Sequence, residues 1–306
     1  MKTTMKKFDI HVHTDMWGGR ELPRWDGSRF ATPEELRGMY EKLGIDRGVL
    51  LPGLSPEDSF TFQSNERAAM VAEENADLFV WFCNLDPRMG YNSPKNDFSR
   101  ILEHYKAMGA KGVGELCPNL PADCDLLDNL FYHCAACDMP VTIHLAPEGE
   151  PYGHYGLQDS LGLPRLERML KKHPKLKILG HSMMFWSGIS GDVTAENMNL
   201  YPSGKVMPGG PLVRLMREYE GLYGDMSAGS GGNAFIRDPE FGCAFIEEFQ
   251  DKLLFGTDIC APTNDMKLSA WLDDMLAQGN ISETAYRKVC RENALKLLDI
   301  RERGAI

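Results

Sequence analysis

Eight short apolar, β-branched runs recur at fairly even separations along the chain, and this recurrence constrains the fold more than any other feature. They are Phe8–His13, Arg47–Pro52, Leu78–Leu85, Lys111–Leu116, Pro140–Leu145, Leu176–His181, Leu222–Ser227 and Lys252–Asp258. Between them lie patterns at helical spacing: Thr32–Leu43, Ser64–Asn75, Asp97–Met108, Cys124–Asp138, Leu163–His173, Pro211–Tyr219, Pro239–Gln250 and a long final stretch, Asn264–Leu298. Alternating strands and helices imply βα units and a parallel sheet. The first helix has a readable start, with Thr32 as cap, Pro33 in the first turn and Glu35 three residues after the cap, and Gly44 supplies its stop. Loops that follow strands are longer and richer in Gly, Pro and aromatics than loops that precede them, and the longest, Ser182–Gly210, reads as an active-site lid. The main alternative, an open doubly wound sheet, lacks support: there is no GxGxxG after the first strand and no phosphate loop. No linker, repeated block or low-complexity stretch interrupts the series. The expectation is therefore an α/β fold, one (β/α)8 TIM barrel domain over residues 1–306, a length that such barrels routinely use.

Charge narrows the partners. With 33 Lys+Arg against 44 Asp+Glu the formal charge is −11, which leaves no broad positive field for a nucleic-acid backbone or an anionic membrane. A small-molecule substrate is the default, with a homodimer as a further expectation. Met1–Lys7 carries Lys2, Lys6 and Lys7 but leads into Phe8-Asp9-Ile10-His11 and not into a long apolar region, so it does not read as a secretion signal. No apolar run approaches the ~18 residues of a membrane span. The 8 cysteines are scattered, and only Cys134 and Cys137 have ligand-like spacing. Because that pair falls in a helical pattern, a buried helix face is its simplest reading. Reduced thiols and a cytoplasmic location are expected.

Polar residues sit where these hydrophobic strands end. Residues two apart on a strand share a face, so His11 and His13 point together, while Ile10 and Val12 are expected to point the other way. Val141-Thr142-Ile143 runs into His144, Ile178-Leu179-Gly180 into His181, Val113-Gly114 into Glu115, and Leu253–Thr257 into Asp258. In a barrel those ends form the face where active sites are found. A single strand-end histidine is ordinarily a hydrogen-bonded filler. Four imidazoles and two carboxylates in one mouth cost several kcal/mol per unpaired charged group unless a cation or mutual hydrogen bonds compensate. A divalent metal does so, and imidazole with carboxylate suits Zn first, with Mn, Fe or Co as alternatives.

This set, His11-Val12-His13 on strand one, His144 on strand five, His181 on strand six and Asp258 on strand eight, resembles the amidohydrolase superfamily. Gly180-His181-Ser182 and Phe255-Gly256-Thr257-Asp258 are similar to the amidohydrolase-related branch that also holds aminocarboxymuconate-semialdehyde decarboxylase. The resemblance implies that His11, His13, His144 and Asp258 bind the metal and that His181 serves as acid, base or polariser of substrate. Binuclear members commonly carry a carboxylated lysine at the end of strand four; Glu115 stands there instead, and Lys111 lies too early in the strand to reach. Bridging a second metal, binding the only metal and bonding to a ligand all remain open for Glu115.

A metal lowers the pKa of its water to about 7 and polarises a carbonyl. In the leading reading Asp258 receives the water's proton, a small amide, lactone or ester is attacked, and His181 stabilises the oxyanion. Nonhydrolytic decarboxylation of a small unsaturated or aromatic carboxylate is the alternative, and a catalytically inactive metal-stabilised binding barrel is the rival from another class. For substrate contacts the strand-one loop offers Trp17, Arg20, Arg24 and Trp25, the strand-five loop Tyr152, His154 and Tyr155, and the strand-six loop Trp186.

Overall fold

The structure is a computed structural model that describes residues 5–24, 26–58, 60–149 and 155–302. Thr32 starts the first helix as its residues dictate: its side chain accepts from the Glu35 amide at 3.3 Å while its own amide donates to the Glu35 carboxylate at 2.9 Å, an arrangement that contributes about 1 kcal/mol. In chain order the elements are β1 (Lys7–Val12), α1 (Pro33–Leu43), β2 (Ile45–Leu50), α2 (Asn65–Glu74), β3 (Phe79–Trp81), α3 (Ser99–Ala107), β4 (Val113–Leu116), α4 (Asp125–Ala136) and β5 (Val141–Pro147). There follow β6 (Leu157–Asp159), α5 (Pro164–Lys172), β7 (Ile178–His181), α6 (Met183–Ser187), α7 (Pro211–Glu218), β8 (Leu222–Asp225), α8 (Ala228–Ile236), α9 (Pro239–Glu248) and β9 (Leu253–Leu254). The chain then forms α10 (Lys267–Ala277), α11 (Glu283–Arg287), a π-helical turn (Lys288–Glu292) and α12 (Asn293–Leu297). Each expected run holds one strand. β6 adds a short ninth that pairs in parallel with β5 alone, off the path of the other eight.

All strand pairs are parallel, in the orders β1-β2-β3 and β4-β5-β7-β8-β9. Two seams join these arcs. Cys83 bridges to Val113, and Val12 bridges to Ile259. Around the second seam the Ile10 amide donates to the Phe255 carbonyl at 2.9 Å and the Asp258 amide to the His11 carbonyl at 2.7 Å. The result is the closed (β/α)8 barrel.

Inside it, Phe8, Ile10, Val49, Leu51, Phe82, Leu179 and Leu254 pack together, and Ala294, Leu295 and Leu298 close the floor. Val12 belongs to the other cluster, with Leu36 and Tyr40 of the outer helix α1. Ile10 is therefore an interior residue, against the expectation that it faces away from His11. The β1–β2 register slips between Asp9 and Val12, and such a bulge lets two successive residues, Ile10 and His11, face inward. Strict alternation resumes with Val12 outward and His13 inward.

The lid expectation changes as well. The segment read as a lid opens with a helix, α6, whose Met184, Phe185 and Trp186 are buried. The rest is tied down by Ser187 Oγ donating to the Met198 carbonyl at 2.7 Å and by the Val206 amide donating to Asp238 at 2.9 Å. The glycine-rich stretch after β8 forms α8, in which Gly231 packs so closely on the Met226 backbone that a Cβ would collide there. Among the described residues no helix is long and apolar enough to cross a membrane.

Candidate metal centre

The bulge in β1 and the ends of four other strands bring His11, His13, Glu115, His144, His181 and Asp258 to one mouth. Asp258 holds a left-handed φ of 54°, a conformation that costs a non-glycine residue about 1–2 kcal/mol; the amide bond to His11 anchors it. Its Oδ1 lies 3.3 Å from His13 Nε2, and its Oδ2 lies 3.7 Å from His181 Nε2. Glu115 Oε1 meets His144 Nδ1 at 2.8 Å, while Oε2 stands 3.6 Å from His11 Nε2 and 3.9 Å from His13 Nε2. Lys111 points to the opposite end of the barrel, where Nζ donates to the Asp299 carbonyl.

The ring nitrogens show why a cation fits. His13 Nδ1 faces the Leu51 carbonyl at 2.9 Å, an oxygen that only accepts, so Nδ1 carries the hydrogen. His11 Nδ1 faces the Asp225 carboxylate at 2.6 Å and donates likewise. The two Nε2 atoms then face each other at 3.1 Å, and their lone pairs repel unless a proton or a metal stands at that point. Burial alone would lower the His11 pKa, yet Asp225, Asp258 and Glu115 outweigh it and hold the imidazole well above its ordinary value. The cluster calls for positive charge where His11 and His13 converge. Burial opposes the ionised forms of Glu115 and Asp258, but the imidazoles hold Glu115 well below, and Asp258 also below, the usual carboxylate range. A divalent ion at that point, with Glu115, His144 and Asp258 as further donors beside His11 and His13, would satisfy these groups.

His181 differs from the other histidines. Burial first, and His11 second, push its pKa down, which favours the neutral ring. Ser227 Oγ sits 3.0 Å from Nδ1; with Ser227 donating there, Nε2 carries the hydrogen, turned toward Glu115 at 3.8 Å and Asp258 at 3.7 Å.

Three groups in and around the mouth escaped the sequence reading. Asp225 ends β8 with 0% exposure and orients His11; its position at a strand end was the signal, masked by the glycine-rich stretch beside it. Asp58, in the loop after β2, has a carboxyl raised to about 6 by desolvation and by Glu115. Cys260 Sγ lies 3.5 Å from Asp258 Oδ1.

The expected substrate contacts divide. Arg24 is drawn in: burial disfavours its charge, but Cys260, Asp258 and Tyr155 raise its pKa above the ordinary value. Tyr155 stacks obliquely on His144 with ring centroids 4.5 Å apart. Trp17 and Arg20 are exposed and bond within the loops, Trp17 Nε1 to the Phe62 carbonyl at 3.2 Å and Arg20 to the Trp17 carbonyl at 3.4 Å. Trp186 is corrected: at 2% exposure it packs over Gly224 outside the barrel wall, against Phe235, and donates to the Asp225 carbonyl at 2.8 Å. Its role is to support β8. Trp25, Tyr152 and His154 lie outside the described residues.

Comparison with known proteins agrees with the fold. The family model described as amidohydrolase matches residues 8–300. No curated protein sequence matches the chain. Among solved structures, an uncharacterized TIM-barrel protein from Bordetella bronchiseptica aligns with a TM-score of 0.65 at 17% identity, covering 97% of this chain and 99% of that one. A probable 2-pyrone-4,6-dicarboxylic acid hydrolase from Acinetobacter baumannii, with citric acid bound, gives 0.60 at 12%, covering 96% and 100%. The 5-carboxyvanillate decarboxylase of Novosphingobium aromaticivorans, complexed with manganese and 4-hydroxy-3-methoxy-5-nitrobenzoic acid, gives 0.60 at 15%, covering 97% and 96%. At these identities the solved structures share the fold, whereas the family match spans nearly the whole sequence: the chain belongs to the amidohydrolase family.

Proposed function

We propose that this protein hydrolyses a small carboxylic derivative, an amide, lactone or ester, at the mouth of the barrel. The observation that carries the reading is the placement of Asp258, with one oxygen beside His13 Nε2 and the other beside His181 Nε2. His11 and His13, with Glu115, His144 and Asp258, would hold a divalent ion, which would supply an acidified water and a Lewis acid for the carbonyl. Asp258, ionised and open to the mouth, accepts the proton of the attacking water. His181 presents its Nε2 hydrogen to the oxygen on which charge develops, and Ser227 fixes the tautomer that makes this donation available. Arg24 offers a cation for a substrate carboxylate, and Tyr155 a flat face beside it.

A second reading, nonhydrolytic decarboxylation, is favoured by that same pair: Arg24 and Tyr155 suit an aromatic acid, and a decarboxylase shares the fold. For the ion we favour zinc, with manganese next, since imidazole and carboxylate serve both. We place the protein in the cytoplasm, in keeping with its eight free cysteines. Turnover of metal-loaded protein against lactones, amides, esters and unsaturated or aromatic carboxylates in ¹⁸O-labelled water tests the reaction. Labelled carboxylate product is expected; release of carbon dioxide without label in the organic product replaces hydrolysis with the second reading, and inertness toward every class removes both.

A further inference from the structure

Outside the barrel wall, between α8 and α10, lies a cavity of about 550 Å³. Ile236, Phe255, Met266 and Leu268 give it apolar walls, Gly232 leaves room on the α8 side, and Tyr201 covers Gly229. The backbone of Ala228 and Thr257, joined by an amide-to-carbonyl bond of 3.1 Å, contributes another part of the lining.

The charged groups of this cavity are two cations, Arg237 and Lys267, and one acid, Asp265. Arg237 lines it, and the Nε and Nη2 atoms of that guanidinium are buried with no hydrogen-bond partner. Asp238 and Asp192 attract the charge from nearby, but the Asp238 oxygens already accept from the Val206 and Phe241 amides. Burial lowers the pKa of this half-buried arginine in spite of both acids, and two of its nitrogens keep no hydrogen-bond partner. The first residues of α10 also line the cavity, and that helix has no side-chain cap. Its free amides and dipole favour negative charge there, and Lys267 adds an ammonium. Lys267 and the one acid in the lining, Asp265, are both exposed, which leaves Arg237 as the half-buried charge.

We infer that this cavity is a second ligand site, separate from the metal centre, for a small organic anion with an apolar body. The charged end lies between Arg237 and the first turn of α10, and the body lies against Ile236, Phe255 and Leu268. A bare inorganic anion would leave the apolar walls uncovered, and a cation would meet Arg237 and Lys267. The occupant would press on Ala228 and Thr257, neighbours in sequence of Ser227, which holds His181, and of Asp258. The site therefore adjoins the segments that position the chemistry without containing any of its groups.

Titration of the full-length protein with 8-anilinonaphthalene-1-sulfonate, followed by fluorescence, tests the inference. Saturable binding of one probe per chain is expected. Arg237→Gln should weaken it about tenfold or more, the scale of one charge-assisted contact, and Gly232→Met, which fills the cavity, should abolish it with the thermal transition retained. Arg24→Gln, at the metal mouth, should leave the probe affinity unchanged. Absence of saturable binding to the native chain, equal affinity in native, Arg237→Gln and Gly232→Met proteins, or loss in Arg24→Gln alone would each overturn the inference. Should Gly232→Met fail to fold, Arg237→Gln decides: undiminished affinity in that variant rejects the site.

Discussion

Two buried acid clusters lie on opposite sides of the same strands, and they are satisfied in opposite ways. On the outer side, Asp9 has no exposure and accepts four hydrogen bonds: from the His11 amide at 3.0 Å, the Thr257 amide at 2.8 Å, Thr257 Oγ1 at 2.6 Å and Tyr40 Oη at 2.7 Å. Desolvation raises its pKa to about 6 despite these donors. Every partner is a neutral protein group and nothing further is required. On the inner side, Glu115 and Asp258 face imidazoles whose Nδ1 hydrogens at His11 and His13 are already committed elsewhere. Their remaining demand is for positive charge. The comparison teaches that burial of an acid is no sign of a metal site; unspent lone pairs on neighbouring histidines are.

The contrast breaks most visibly if the inner cluster keeps its ion without its histidines. In a His11→Ala/His13→Ala variant, metal analysis should find occupancy falling from about stoichiometric to near zero, because two of the five proposed donors are lost; retained metal would move the site elsewhere. Next in size is His181→Asn, which should keep its metal while turnover falls about 10²- to 10⁴-fold through loss of the imidazole's proton-transfer or oxyanion role. Loss of metal from that variant would make His181 a ligand. Asp225→Asn keeps a hydrogen-bond acceptor for His11 but removes the charge behind it, so the dissociation constant of the metal, measured by competition with a chelator, should rise about 10- to 100-fold. The smallest effect belongs to the outer cluster. Tyr40→Phe withdraws one of four donors from Asp9 and should cost about 0.5–1.5 kcal/mol in urea denaturation, with metal content unaltered. A drop in metal content there would mean that the two clusters are coupled through β1.

Much of this is legible in the sequence. The strand periodicity and the polar residue at the end of each hydrophobic run located His11, His13, Glu115, His144, His181 and Asp258 at one face, because strand direction and side-chain alternation are local properties that the chain expresses wherever it folds. The cap at Thr32 was readable for the same reason, since its partners lie three residues away. The helical nature of α8 was hidden, because helix propensity counts against glycine while close packing requires it. Trp186 looked available to substrate from its loop composition, yet it lies under the helix layer against Phe235 and Gly224.

The sequence by itself therefore determined the barrel, the end of it that carries chemistry, and the residue types gathered there. Tertiary structure decided which neighbours those residues meet. The register slip in β1 put Ile10 and His11 on the same side, the end of β8 supplied Asp225 to His11 from 214 positions away, and Ser227 came to hold His181 across 46 positions. Residue types and their periodicity are written along the chain, whereas a ring's tautomer, a carboxylate's partners and an unspent lone pair depend on distances of about 3 Å between distant segments, which exist only after the barrel has closed.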